Sequence, residues 1–64
     1  MVILQALIAR TRTYYFRGSA TGFEWSTDRS EAAQYPNEAA ARADLVGSPM
    51  AYDHYAMRAQ VVPA

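Results

Sequence analysis

The segment that most constrains the fold is TRTYYFRGSATGFEWSTD, residues 11 to 28, in which two aromatic runs flank a pair of glycines. Aromatic and β-branched residues favour the pleated surface of a sheet, so we expect a strand over residues 13–17. The glycines stand at turn positions and predict a hairpin that returns through Phe23-Glu24-Trp25. Alternation in this second strand places Phe23 and Trp25 on one face and Glu24 on the other.

The amino-terminal segment VILQALIA, residues 2–9, is rich in Val, Ile and Leu and is short for a helix. As a strand it would present two faces that are both mostly apolar, with Val2, Leu4, Ala6 and Ile8 on one and Ile3, Gln5, Leu7 and Ala9 on the other. Two apolar faces are typical of a central strand that is covered on both sides. The spacing of Leu4, Leu7 and Ile8 also matches a helix, so both interpretations stay open.

The residues after the hairpin carry the signals of helices. Asp28 followed three residues later by Glu31 resembles a capping box and predicts one short turn. Pro36 interrupts the segment, and Asn37 then caps a helix through EAAARADLV that stops at Gly47. The sheet-facing stripe of this helix is narrow and consists of Ala40, Ala41, Asp44 and Leu45.

The last segment, HYAMRAQVV at residues 54–62, alternates again and predicts a strand that ends at Pro63. One of its faces carries Tyr55, Met57, Ala59 and Val61. The order is therefore strand, strand, strand, helix, strand, in one domain over residues 1–64. Because short hairpins require antiparallel neighbours, we expect an α+β fold, with an antiparallel sheet of three to four strands and one main helix on one face.

The segment YYFRGSATGFEWSTDRSEAAQYPNEAAARADL resembles a pattern of small phage and prophage proteins. In that pattern an aromatic strand leads through a glycine turn to a G-x-x-W-[ST] segment, then to an alanine and an aromatic, and then to an acidic-alanine helix. The positions that carry the resemblance are Gly22, Trp25, Ser26, Ala33, Tyr35, Glu38 and Ala39. The resemblance implies a small ββαβ domain of bacterial or phage origin and implies no particular activity.

Composition limits the chemistry of the chain. There is no cysteine, which excludes disulfides and thiolate metal sites, and six basic residues balance six acidic ones. A nucleic-acid binder usually carries a basic excess, so the balanced charge disfavours that class. The apolar amino terminus is too short to span a membrane and lacks the basic segment of a secretory signal. We therefore expect a cytoplasmic protein that does not associate with membranes.

No catalytic constellation stands out. The single histidine, His54, follows Asp53, and adjacent side chains on a strand point to opposite faces. Zinc requires three or four protein ligands, which one histidine without cysteines does not supply. The serines stand in turn or cap contexts, where hydroxyls bond to the local backbone. We expect no enzyme activity, no metal and no cofactor.

The aromatic run Tyr14-Tyr15-Phe16 divides between the two faces of its strand. We expect Phe16 and Trp25 in the core under the helix, since a chain this small must bury most of its large side chains. The other face would have no helix over it, and exposed apolar faces usually mark an interface. A closed two-fold dimer would cover that face and stabilise the domain.

The candidate contact surface consists of Tyr14, Tyr15, Arg12, Arg17 and Arg58. The leading hypothesis is a non-enzymatic interaction module that forms a homodimer and also binds a host protein. The alternative is a single-strand nucleic-acid binder, in which bases stack on the tyrosines and phosphates contact the arginines.

Overall fold

The computed structural model describes residues 1–22, 24–48 and 54–64. The strands within these residues are β1 (Val2–Ile8), β2 (Arg12–Phe16), β3 (Trp25–Ser26) and β4 (Ala59–Pro63). The helices are α1 (Glu38–Val46) and α2 (His54–Met57), and 3-10 turns cover Ser19–Thr21 and Arg29–Glu31. The strands pair antiparallel in the order β3-β2-β1-β4. The predicted α+β fold, with three strands, one main helix and a further strand, is confirmed.

Strand β1 lies inside the sheet, so the helical alternative for this segment is wrong. Ala6 of β1 stands opposite Tyr14 of β2 on one side and opposite Ala59 of β4 on the other. Both faces of the strand are covered, because Leu4 on one face and Ile3 on the other are both buried. The apolar character of both faces, read from the sequence, thus corresponds to a central strand.

A strained turn joins β1 to β2. Ala9 and Arg10 have φ angles of 54° and 64°, and the Thr11 amide donates a 3.3 Å hydrogen bond to the Ile8 carbonyl. Two consecutive positive φ angles are typical of type I′ hairpin turns, where Asn and Gly are favoured. For other residues the left-handed conformation costs about 1–2 kcal/mol each. Ala9 and Arg10 therefore make this turn less stable than asparagine or glycine would.

The predicted hairpin from β2 into β3 is confirmed. Its connection carries Gly18 and Gly22 with φ angles of 79° and 89°, which is the conformation that glycine tolerates. On β3, Trp25 stands opposite Phe16. The predicted start of this strand at Phe23 lies outside the described residues.

The predicted short turn after Asp28 forms as the 3-10 turn Arg29–Glu31. The Asp28 carboxylate accepts hydrogen bonds from the hydroxyl and the amide of Ser30, at 2.7 and 2.9 Å. These bonds favour the ionised form and hold the pKa of the Asp28 carboxyl below its ordinary value. The Asp28 amide donates to the Ser26 hydroxyl rather than to Glu31, so the second half of the predicted capping box is wrong.

Helix α1 forms as the sequence predicts. The side-chain oxygen of Asn37 accepts a 2.9 Å hydrogen bond from the Ala40 amide and caps the first turn. Ala41 and Leu45 are buried against the sheet, while Ala40 and Asp44 are half-buried beside them. The predicted stripe is therefore confirmed, and its small side chains let the helix approach the strands closely.

The core lies between α1 and one face of the sheet. Its buried residues are Leu4, Phe16, Tyr35, Ala41 and Leu45. Phe16 is fully buried, as predicted, and the centre of the Trp25 ring lies 5.1 Å from that of Phe16. Trp25 itself is half-buried, at the edge of this core rather than inside it. Its indole nitrogen finds no hydrogen-bond acceptor among the described residues.

Residues 54–57 form helix α2, so the strand predicted from residue 54 is wrong over its first half, and β4 begins only at Ala59. The helical turn places the Tyr55 ring centre 4.8 Å from that of Tyr14 and 5.7 Å from that of Trp25. Such aromatic pairs contribute about 0.5–1.5 kcal/mol beyond their buried area, which favours the helical turn. Asp53, which precedes His54 in the sequence, lies outside the described residues.

Candidate interaction surface

The sheet has two faces, and the core with α1 covers the first. In an antiparallel pair, residues directly opposite one another lie on the same face of the sheet. The strand register therefore shows which residues lie on the second face. The second face consists of Ile3, Gln5, Leu7, Thr13, Tyr15, Ser26, Gln60 and Val62. The side chains of these strand residues are apolar or neutral and polar.

The side chain of Arg29 crosses the second face. Its guanidinium carbon lies 5.8 Å from the centre of the Tyr15 ring on β2, and its Nη2 donates a 2.8 Å hydrogen bond to the Pro63 carbonyl on β4. Because β1 lies between β2 and β4, this side chain passes over β1, and Ile3 on that face is only 2% exposed. The expectation of an uncovered second face is therefore wrong in part.

The β3 end of the second face is occupied by ion pairs. Arg17 Nη1 lies 2.9 Å from Glu24 Oε2, and Arg17 Nη2 lies 3.7 Å from Glu31 Oε2. The Ser26 hydroxyl donates a hydrogen bond to the other oxygen of Glu31. Arg17, which the sequence places in the contact surface, is thus held by two carboxylates of its own chain.

The far end of the second face remains accessible. Leu7 is 52% exposed there, and it stands opposite Thr13, while the neighbouring Gln5 stands opposite Tyr15. These four residues form a compact square on two adjacent strands, which we call the Leu7 patch. Gln5, Thr13 and Tyr15 are half-buried, so the patch is centred on one exposed leucine. Its own four side chains are uncharged, and the Arg29 guanidinium lies over the Tyr15 ring.

The five residues predicted as a contact surface do not share one surface. Tyr14 lies on the first face, against Tyr55, so the predicted separation of Tyr14 from Tyr15 is confirmed. Arg58 follows α2, where its amide donates a 3.0 Å hydrogen bond to the Tyr55 carbonyl. Tyr15 lies in the Leu7 patch, and Arg12 lines a cleft beside it.

That cleft lies where the pairing between β2 and β3 ends. Strand β3 pairs with β2 only at Phe16 and Tyr15, so among the described residues no strand flanks the first half of β2 on that side. A cleft of about 390 Å³ occupies the position and is lined by Thr11, Arg12, Thr13, Tyr15 and Thr27. The lining therefore combines three threonine hydroxyls, one guanidinium and one aromatic ring.

A buried polar contact that the sequence does not predict holds the hairpin to the helix. The Tyr35 hydroxyl donates a 2.6 Å hydrogen bond to the Asp44 carboxylate, and the Ser19 amide donates to the same oxygen at 3.2 Å. Burial opposes ionisation of Asp44, but the bonds from Tyr35 and Ser19 outweigh it and hold the pKa of this carboxyl below its ordinary value. Burial and the adjacent Asp44 raise the pKa of the Tyr35 hydroxyl. No periodic pattern relates positions 35 and 44, which explains why sequence analysis misses the pair.

The described residues contain no group of three or more His, Cys, Asp and Glu side chains placed to hold a metal ion. None of the helices among them has the length and apolar character that crossing a membrane requires. Comparison with protein-family models finds no match, and comparisons with curated proteins and with solved structures likewise find none.

Proposed function

We propose that this chain is a small non-enzymatic interaction module that self-associates through the Leu7 patch. The observation that carries the proposal is the exposure of Leu7 among uncharged side chains of the sheet. A single exposed apolar side chain is ordinary, whereas one that is continuous with half-buried apolar neighbours is typical of a contact surface. Tyr15 and the methyl group of Thr13 are such neighbours.

A second copy of the chain is the occupant that best fits the patch. The formal net charge is zero, so two copies do not repel one another over long distances. The core is small for an unaided domain, and covering Leu7 would add apolar burial to it. Closed two-fold dimers are the commonest way in which such a face is covered.

The size of the face limits the strength of association. Strands about 4.8 Å apart with a rise of about 3.3 Å per residue make a four-stranded face of roughly 400 Å². A standard interface buries about 800 Å² on each partner, so the whole second face would supply half of that area, and the accessible Leu7 patch supplies less. We therefore expect a concentration-dependent dimer with micromolar or weaker affinity rather than an obligate one.

Sedimentation equilibrium over a range of concentrations tests the proposal. The wild-type protein should shift from monomer to dimer as its concentration rises, and Leu7→Ser should abolish the shift. The matched control is Val46→Ser, because Val46 is 71% exposed at the end of α1, on the other side of the sheet. A monomer at every concentration, or a dimer that is lost in Val46→Ser and kept in Leu7→Ser, would overturn the proposal.

The alternative of single-strand nucleic-acid binding draws support from Tyr15 and Arg12, which both line the cleft. Tyr14 and Arg17 support it less, since one packs on Tyr55 and the other is ion-paired. Binding of an oligonucleotide with a steep salt dependence would favour this alternative over self-association.

A cytoplasmic accessory role in a bacterium or its phage, with a host protein as a further partner, is consistent with the proposed module. The resemblance of its G-x-x-W-S segment to small phage proteins is the support for that origin. A host protein would compete with the second copy for the Leu7 patch. Adding such a partner should therefore dissociate the dimer.

A further inference from the structure

The cleft beside β2 has features that self-association does not use. Its walls come from two parts of the chain. One wall consists of residues of β2 and Thr11 just before that strand, and the other is Thr27, which directly follows β3. The threonine hydroxyls of this lining can both donate and accept hydrogen bonds, and the guanidinium of Arg12 only donates. None of the lining residues is acidic. A volume of about 390 Å³ falls in the range of small-molecule sites.

The arginines at this end of the sheet are not neutralised by the ion pairs found among residues 1–22, 24–48 and 54–64. Those pairs engage Arg17 with Glu24 and Glu31, and Arg42 with Glu38. Arg12 lines the cleft, and Arg10 stands two residues before it in the turn. Arg12 is therefore available at the cleft to bind an anion.

The turn that carries Arg10 is strained. Asparagine or glycine would adopt the positive φ angle of this position without strain, yet the chain has an arginine there. Strained backbone tends to occur where binding requires a particular arrangement. An arginine at this unfavourable turn position agrees with a role for its charge.

We propose that this cleft binds the phosphate group of a small phosphorylated ligand that also carries a planar ring, such as a nucleoside monophosphate. Arg12 supplies charge-assisted hydrogen bonds to the phosphate, and the threonine hydroxyls satisfy its remaining oxygens. The Tyr15 ring provides a surface for the planar group, and Arg29 over the same ring adds positive charge nearby. Arg10 contributes longer-range attraction. This site shares Thr13 and Tyr15 with the Leu7 patch.

Titration calorimetry at low salt tests the proposal with adenosine monophosphate as the probe. We expect saturable binding, and adenosine alone and inorganic phosphate alone should each bind about tenfold or more weakly than the complete nucleotide. Arg12→Gln should weaken nucleotide binding about tenfold or more, because a charged hydrogen-bond donor is lost. The matched control Arg42→Gln removes an exposed arginine on α1 and should leave binding unchanged.

A parallel titration with oligothymidylate separates the two sources of phosphate. Tighter binding of the oligonucleotide, lost in Arg12→Gln and steeply reduced by salt, would support the site and assign its phosphate to a nucleic-acid backbone. No saturable binding of either probe up to about 10 mM would overturn the proposal. Equal losses in Arg12→Gln and Arg42→Gln would also overturn it, since binding would then follow overall charge. Arg12 is exposed, so circular dichroism should confirm that its variant remains folded.

Discussion

The hydroxyl of Tyr35 donates a 2.6 Å hydrogen bond to the carboxylate of Asp44, and this bond links the end of the sheet to α1. The backbone of Tyr35 is fixed as well, because its amide and carbonyl exchange 2.8 Å hydrogen bonds with Val2 at the start of β1. The Ser19 amide, in the connection between β2 and β3, donates to the same Asp44 oxygen. One carboxylate therefore ties together the hairpin, the sheet and the helix.

Tyr35→Phe should lower the free energy of unfolding by about 1–2 kcal/mol, because it removes a part-buried hydrogen bond to a charged acceptor and leaves the ring in place. Urea denaturation checks this expectation. Tyr15→Phe is the matched control, since it removes a tyrosine hydroxyl without touching Asp44. Equal denaturation midpoints for the wild-type protein and Tyr35→Phe would contradict the role given to the bond.

The same pair predicts the pH dependence of stability. The pKa of Asp44 is lower in the folded state, so its contribution is present above the ordinary carboxyl pKa of about 3.9 and is lost as pH falls through the folded pKa. The pKa of Tyr35 is higher in the folded state, so its contribution is present below about pH 10 and is lost as pH rises further. Unfolding should be measured from acid to alkaline pH.

Variants identify the groups that contribute to this pH profile. Asp44→Asn should flatten the acid limb, although Asp28 contributes to the same limb with a lowered pKa of its own. Tyr35→Phe should flatten the alkaline limb, and it should also reduce the acid limb, because it removes a bond that lowers the pKa of Asp44. An alkaline limb that is unchanged in Tyr35→Phe would show that another group controls it.

Gly18→Ala should destabilise the fold more than Gly22→Ala does. Both positions have positive φ angles, so both variants bear the strain of a left-handed side chain. A Cβ at Gly18 would also lie 2.9 Å from the Ala33 Cβ and 2.9 Å from the Tyr35 hydroxyl oxygen, whereas one at Gly22 meets nothing within 4 Å. Overpacking of this kind adds about 1–3 kcal/mol. Thermal unfolding of the two variants should therefore differ, and equal melting temperatures would contradict the close packing of Gly18.

Arg10→Gly should raise the free energy of unfolding by about 1 kcal/mol, because glycine adopts the positive φ angle of this turn without strain. Arg12→Gly is the matched control on the adjacent strand, where glycine is unfavourable, and it should lower stability. Denaturation curves give both values. If Arg10→Gly both stabilises the protein and weakens nucleotide binding, then the arginine lowers stability while its charge supports binding. A destabilising Arg10→Gly would contradict the strain assigned to the turn.

The parts of the fold that depend on local signals could be predicted from the sequence. The glycine hairpin, the Asn37 cap and the narrow stripe of α1 each follow from residues close together in the chain. The strand predicted over residues 54–62 is wrong over its first half, where a helical turn brings Tyr55 into contact with the distant rings of Tyr14 and Trp25. Sequence patterns therefore predicted an element correctly where the residues that stabilise it are close together in the chain.

The contact surface shows the same division. Alternation separated Tyr14 from Tyr15, but no pattern indicated that Arg29 lies over Tyr15 and reaches Pro63. The ion pair between Arg17 and Glu31 likewise joins residues that only the folded chain brings together. The hydropathy pattern does not show that a charged side chain covers part of a sheet face. The accessible part of the face therefore could not be located from the sequence.

The most direct test of self-association through the Leu7 patch is a dilution series followed by two-dimensional NMR. Chemical shifts that report association should move together with concentration and identify the residues at the contact. The account predicts that the Leu7 methyl groups and the Gln5 and Thr13 amides move, while Val46 on α1 stays fixed. Shifts confined to α1, or no concentration dependence at all, would contradict it.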